Sequence, residues 1–334
     1  MAVWPNLFIV GAVKSGTTSL YAYLRQHPAI FFPEMKEPHF FARPAPSPAQ
    51  RHLITFIRDE AAYLRLYESA QTPWRGDASP SYLWCPEAPG RIAAVAPEAR
   101  IIVILRDPIE RAYAQYLMDY SEGAIQAPFY EALQTDWRRP DKGWGVSQLY
   151  VELGLYTEQI RRYRAVFGHD RVLVLLLEDL KKDASGVLKR IARFLDIAEG
   201  PMAHVDTSEA HNRYLQPKGQ WARWLAGHPV SRFLGERVIP RRLGEYVWEH
   251  WMQKEAPKPA MDPRAREFLQ KIYTAELVAL EDELGCPLPE LRRSWTVVAR
   301  PAAAQRDAGA AGTGVQTAPA GGRSASVQSS APPL

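Results

Sequence analysis

Lys14, Ser15, Gly16, Thr17, Thr18 and Ser19 put an ammonium, a glycine and four hydroxyls into one short run, KSGTTS. Far along the chain, Arg106 places a guanidinium directly after the apolar run IIVIL. Residues of these types bind phosphate: glycine lets backbone N–H groups approach an anion, hydroxyls donate to it, and the cations neutralise it. The spacing narrows the choice. A nucleoside-triphosphate loop reads G-x-x-x-x-G-K-[ST], with lysine after the second glycine. Here Lys14 precedes Gly16, and Thr17-Thr18 stands where Lys-Ser/Thr would be. The loop therefore predicts a P-loop-like fold while disfavouring a kinase or ATPase.

Such residues work only if the chain positions them. Leu7, Phe8, Ile9 and Val10 read as a buried strand before the loop, and Leu20, Tyr21 and Leu24 as a helix after it. Strand, loop and helix aim the positive end of a helix dipole at the anion. IIVIL, residues 101–105, reads as a second buried parallel strand. Lys14 and Arg106 thus both follow strand ends, where ligands of open α/β sheets gather. Further strands and helices alternate through Val172, Leu177, Val187 and Ile191, and residues 263–284 carry one apolar helical face. The expected fold is α/β, a P-loop-like doubly wound parallel sheet with helices on both faces.

The 334 residues are 46% apolar and 23% charged, the balance of an ordinary globular chain. A formal charge of +4 suits an anionic ligand without arguing for nucleic acid. Cys85 and Cys286 are too few for a disulfide scaffold or a cysteine metal site. No run approaches the ~20 apolar residues that span a bilayer, and no signal peptide is recognisable, so a soluble cytoplasmic protein is expected. Residues 1–299 are expected to form one domain. Within it, 123–145 reads as an irregular basic and aromatic lid, and 206–251 as a second insertion on the acceptor side. The Ala/Gly/Ser/Pro-rich residues 300–334 read as a disordered tail.

The stretch LFIVGAVKSGTTSLYAYLRQHP resembles the 5′-phosphosulfate loop of sulfotransferases that use 3′-phosphoadenosine 5′-phosphosulfate (PAPS), and IIVILRDPIERAYAQY resembles their 3′-phosphate site. KEPHFF, SPSYL, GLYTEQIRRY and LLLEDL continue the likeness in order, to about Phe194. The branch it resembles is bacterial and allied to the heparan-sulfate N- and O-sulfotransferases. The resemblance implies sulfuryl transfer from PAPS, without a metal, to a hydroxyl (less readily an amine) of a small-molecule natural product, lipid or carbohydrate. Lys14 would neutralise charge on the bridging oxygen, Ser15, Gly16, Thr17, Thr18 and Ser19 would hold the 5′-phosphate, and Arg106 the 3′-phosphate. Glu37 stands at the family's catalytic base, with His39 as the competing base. Lys36 would position the sulfate or an anionic acceptor, and Lys218-Gly219 would stand for a basic loop over the 3′-phosphate.

Two positions depart from the family pattern. Ala114 stands where a serine usually follows the arginine, and Ala78 where the heparan-sulfate enzymes often carry lysine. The first removes a donor to the 3′-phosphate, and the second weakens the case for a polyanionic glycan acceptor. Asp107 is expected to cap the following helix, with Arg111 paired at the surface or with that cap. Ser79 would contact ligand or shape its turn. Trp137, Trp144, Trp221 and Trp224 would line an acceptor pocket or pack locally. A non-catalytic nucleotide-binding protein on the same fold is the alternative from another class, and a P-loop kinase a more distant one.

Overall fold

The computed structural model describes residues 3–42, 56–144, 146–208, 215–217, 253–255 and 258–295. Lys218, Gly219, Trp221, Trp224 and the tail 300–334 lie outside the described residues, as does most of 206–251.

Five strands form a sheet: β1 (Leu7–Gly11), β2 (Ile30–Phe31), β3 (Trp74–Asp77), β4 (Arg100–Leu105) and β5 (Val172–Leu176), in the order β2-β3-β1-β4-β5 with every pairing parallel. The chain leaves β1 through helix α1 (Thr17–Leu24) towards β2 on one side, and later enters β4 on the other. The connections diverge between β1 and β4, and open α/β sheets hold ligands in a crevice beyond the carboxyl ends of strands at such a point. Past the end of β1 the Ala12 amide still donates to the Ile104 carbonyl at 2.8 Å, which holds the two ends together.

Alternation of side chains along the strands fills both faces. Phe8, Val10, Ile101, Val103 and Leu105 point to one face. It is covered by α2 (Glu60–Arg65), α3 (Ser81–Trp84), α4 (Ala88–Val95) and α7 (Tyr156–Phe167). Leu7, Ile9, Ile102, Ile104, Leu173 and Leu175 point to the other, under α1, α8 (Leu177–Lys182) and α9 (Ala184–Phe194). A third apolar cluster joins α5 (Pro108–Ser121), α6 (Phe129–Arg138) and the long α10 (Pro263–Leu284). The doubly wound parallel sheet anticipated from the apolar runs is the fold observed.

Three local expectations need correction. Residues 123–145 are not irregular throughout, because α6 occupies 129–138. Its Phe129, Ala132 and Leu133 are buried against Tyr113, Tyr116 and Tyr150, which stabilises a helix that Trp, Arg and Lys obscure in sequence. The polar run 206–220 reads in sequence as one long loop, yet within it residues Leu215–Pro217 form β6, antiparallel to β7 (Gln253–Glu255). Arg111 is neither at the surface nor paired with the Asp107 cap. It is fully buried and donates to Gln115 Oε1 at 2.8 Å and to the Tyr150 carbonyl. Among the described residues no helix is long and apolar enough to cross a membrane.

Candidate functional site

The loop after β1 turns on two residues in the left-handed region, Lys14 with φ 60° and Gly16 with φ 93°. Gly16 is the N-cap of α1, where no side chain caps the first-turn amides and no acidic residue sits in that turn. The helix therefore presents backbone donors and its dipole, undiluted by local anions, beside Lys14. Ser15 and Thr17 are buried in this turn, and Thr18 is half-buried. A Cβ on Gly16 would lie 2.6 Å from Leu177 Cδ1, so only glycine satisfies both the dihedral and the packing. Gly16→Ala is expected to lower stability by about 1–3 kcal/mol, read as a shifted midpoint in urea denaturation.

Arg106 reaches the same crevice from the end of β4. Its Nη1 donates to the Lys14 carbonyl at 3.1 Å, and its Nη2 lies 3.5 Å from Glu110 Oε2. The Tyr156 hydroxyl donates to the Arg106 carbonyl at 2.9 Å, so α7 fixes the turn that carries the guanidinium. Asp107 caps α5 as expected: its Oδ1 accepts from the Ile109 amide at 2.9 Å and the Glu110 amide at 3.3 Å. Its Oδ2 accepts from the Ser294 amide at 3.0 Å, tying the far end of the domain to the site. Ala114 is on α5 two turns beyond Arg106 and offers no donor.

The Lys14 ammonium donates to Met118 Sδ at 3.3 Å, a weak acceptor. Burial holds its pKa below the ordinary value; Glu122, Asp119 and Glu37 oppose this and Arg106 reinforces it. Asp119 and Tyr150 are neighbours that the motif pattern does not mark. The Tyr150 hydroxyl donates to Asp119 Oδ2 at 2.8 Å, and burial pushes the Asp119 carboxyl up to about 7.

The second half of the site is the loop containing Lys36, Glu37 and His39. Glu37 (φ 61°) and His39 (φ 53°) both sit in the left-handed region. Glu37 is partly exposed, ion-paired with Lys36, and its Oε2 lies 3.6 Å from His39 Nε2. His39 is buried, with its Nδ1 2.6 Å from Ser81 Oγ and its ring between Phe56 and Trp144, at 5.2 and 5.8 Å between centroids. Burial lowers its pKa to about 4, so at neutral pH the imidazole is uncharged and a weak proton acceptor. Trp144 also packs with Val13 of the first loop, whereas the Trp137 ring lies 6.5 Å from that of Phe268 on α10. The Glu37 carboxylate also supports the Lys14 ammonium electrostatically. The structure thus joins the Lys14–Thr17 turn to Arg106, and Glu37 to Lys36 and His39. Ser19 is in the first turn of α1 with its side chain buried, one position past the loop.

A sequence profile described as Sulfotransferase family matches residues 5–200. The human bifunctional heparan sulfate N-deacetylase/N-sulfotransferase 3 is 28% identical over 306 residues, covering 87% of this chain and 31% of the relative. Mouse heparan sulfate glucosamine 3-O-sulfotransferase 3A1 is 30% identical over 196 residues, covering 58% of this chain and 46% of the relative. The chain therefore spans about a third to a half of the length of these relatives. A solved sulfotransferase from Alicyclobacillus acidocaldarius superposes with a TM-score of 0.67 at 28% identity, covering 87% of this chain and all of that one.

Proposed function

Because the chain belongs to the sulfotransferase family, we propose that it transfers a sulfuryl group from PAPS to a hydroxyl, less readily an amine, of a small-molecule natural product, lipid or carbohydrate. The observation that carries this reading is the direct bond from the Arg106 guanidinium to the Lys14 carbonyl, 3.1 Å across the ends of β1 and β4. It ties the turn that carries Lys14 to the guanidinium of Arg106, joining the two segments that a nucleotide bearing phosphates at its 3′ and 5′ positions would use. The uncapped start of α1, with its free first-turn amides, suits the 5′-phosphate. PAPS supplies an activated sulfuryl group whose departure leaves negative charge on a phosphate oxygen.

The protein's own groups then have distinct tasks. The amides of the first turn of α1, with the hydroxyls of Ser15, Thr17 and Thr18, hold the 5′-phosphate. Lys14 neutralises the charge that develops on the leaving oxygen, in a buried setting where the interaction is stronger than in water. Arg106 grips the 3′-phosphate with its planar fork. Glu37 takes the proton from the attacking hydroxyl, and its partial exposure lets the acceptor reach it. His39, buried and uncharged, holds the Glu37 loop in place rather than acting as the base. Holding the reacting groups in line supplies the rest of the acceleration.

Incubating the protein with radiolabelled PAPS and a broad panel of phenols, sugars, sterols and amines, with mass-spectrometric detection of sulfated product, tests the activity. Label transfer to any acceptor supports it; no transfer, with no binding of PAPS, removes it. Arg106→Ala is expected to weaken the product nucleotide 3′-phosphoadenosine 5′-phosphate (PAP) by about 1.5–3 kcal/mol, measured by calorimetry. The loss should be much smaller for adenosine monophosphate, which lacks the 3′-phosphate. Equal losses for the two nucleotides would reassign Arg106.

A further inference from the structure

Asp77 ends β3 fully buried, in a place where a carboxylate costs much unless it is bonded on all sides. Its Oδ2 accepts from the hydroxyls of Tyr63 at 2.6 Å and Tyr82 at 2.8 Å, and its Oδ1 from Ser79 Oγ at 2.7 Å. The Ser79 proton is thereby committed to Asp77, which leaves its lone pairs for the His39 amide, donating at 3.1 Å. The Tyr82 hydroxyl also accepts from the Phe41 amide at 3.4 Å. One buried carboxylate thus reaches, through two hydroxyls, both ends of the segment 39–41.

That segment needs such a lock. Two side-chain-bearing residues, Glu37 and His39, adopt left-handed backbone dihedrals on either side of Pro38, a costly conformation that persists only where the surroundings impose it. An ionised Glu37 can only accept, so the His39 nitrogen facing it, Nε2, carries the proton, and Nδ1 accepts from the Ser81 hydroxyl. We infer that Asp77 and Ser79 are positioning residues for the catalytic loop: Ser79, oriented by Asp77, pins the His39 amide so that the imidazole presents Nε2–H to Glu37. This role uses Ser79 within the protein and not as a ligand contact. It rests on Glu37 being the base, but its principal readout is independent of turnover.

The test is histidine-labelled nitrogen NMR, with His39→Gln identifying the His39 resonances and calorimetry with PAP confirming that each variant retains the nucleotide site. Wild type is expected to show a single Nε2–H tautomer for His39. Ser79→Ala should give a mixture of the two tautomers, Ser79→Thr should restore the single form, and PAP affinity should stay within about twofold in both. Asp77→Asn, which keeps the side-chain volume, should give the same mixture and serves if Ser79→Ala does not fold. With an acceptor found in the panel, Ser79→Ala should lower kcat by up to about a hundredfold, again restored by threonine. A wild-type His39 signal in Ser79→Ala and Asp77→Asn, or an unchanged kcat in Ser79→Ala, overturns the assignment. Loss of PAP binding in wild type would instead count against the nucleotide site.

Discussion

Lys14→Ala is expected to lower turnover by about three orders of magnitude while leaving the chain folded. The magnitude follows from what the ammonium does. It meets charge that exists only as the bond to sulfur breaks, so the stabilisation appears in the transition state and is lost from kcat. The fold should survive because the Lys14 ammonium donates to the Met118 thioether, a weak acceptor whose loss costs little. Lys14→Ala even relieves a desolvation cost, since burial disfavours the charged ammonium in the free protein. Steady-state kinetics with an acceptor from the panel, alongside urea denaturation, separates the two effects. A fall in kcat of less than about tenfold would deny Lys14 a role at the leaving oxygen.

The second large effect is expected at Glu37. Glu37→Gln keeps the shape and removes the base, and should lower kcat by about 10²- to 10⁴-fold with little change in PAP affinity. Only the ion pair with Lys36 and the approach to His39 Nε2 are disturbed, and the carboxylate is partly exposed, so stability should change by less than about 1 kcal/mol. His39 makes a different prediction from Glu37. Its pKa of about 4 means that no histidine titration should appear in the rate between neutral pH and about pH 5. A base with the ordinary imidazole pKa would halve the rate near 6.5. If Glu37→Gln kept wild-type kcat and the rate fell with a midpoint near 6.5, His39 would be the base after all.

The strands that carry the cations were legible because continuous apolar runs, LFIV and IIVIL, have no other stable place than a sheet covered on both faces. The order of Lys14 and Gly16 was enough to set aside the triphosphate loop. β3 was not legible: its sequence, WRGD, contains two poor strand formers, and Asp77 is tolerated there because the turn after it brings back Ser79 and Tyr82 while Tyr63 reaches it from α2. The same holds for Arg111, expected to pair at the surface or with the Asp107 cap. One of its partners, Gln115, is the i+4 neighbour on α5, but the other, the Tyr150 carbonyl, lies on a distant segment that no local pattern predicts. Asp119 was overlooked for this reason too, since its setting depends on Tyr150 and on the folding of α5 over the first loop. Local chemistry was readable, and the second layer that tunes it required tertiary contacts.

The central claim is that Lys14 and Arg106 bracket one nucleotide carrying both a 5′ and a 3′ phosphate. Calorimetric titration of the wild-type protein with PAP, set against adenosine monophosphate and ATP with magnesium, tests it most directly. The account predicts one PAP per chain, bound far more tightly than either competitor, with the preference over adenosine monophosphate largely lost in Arg106→Ala. No binding of PAP, or tighter binding of ATP with magnesium, would contradict it.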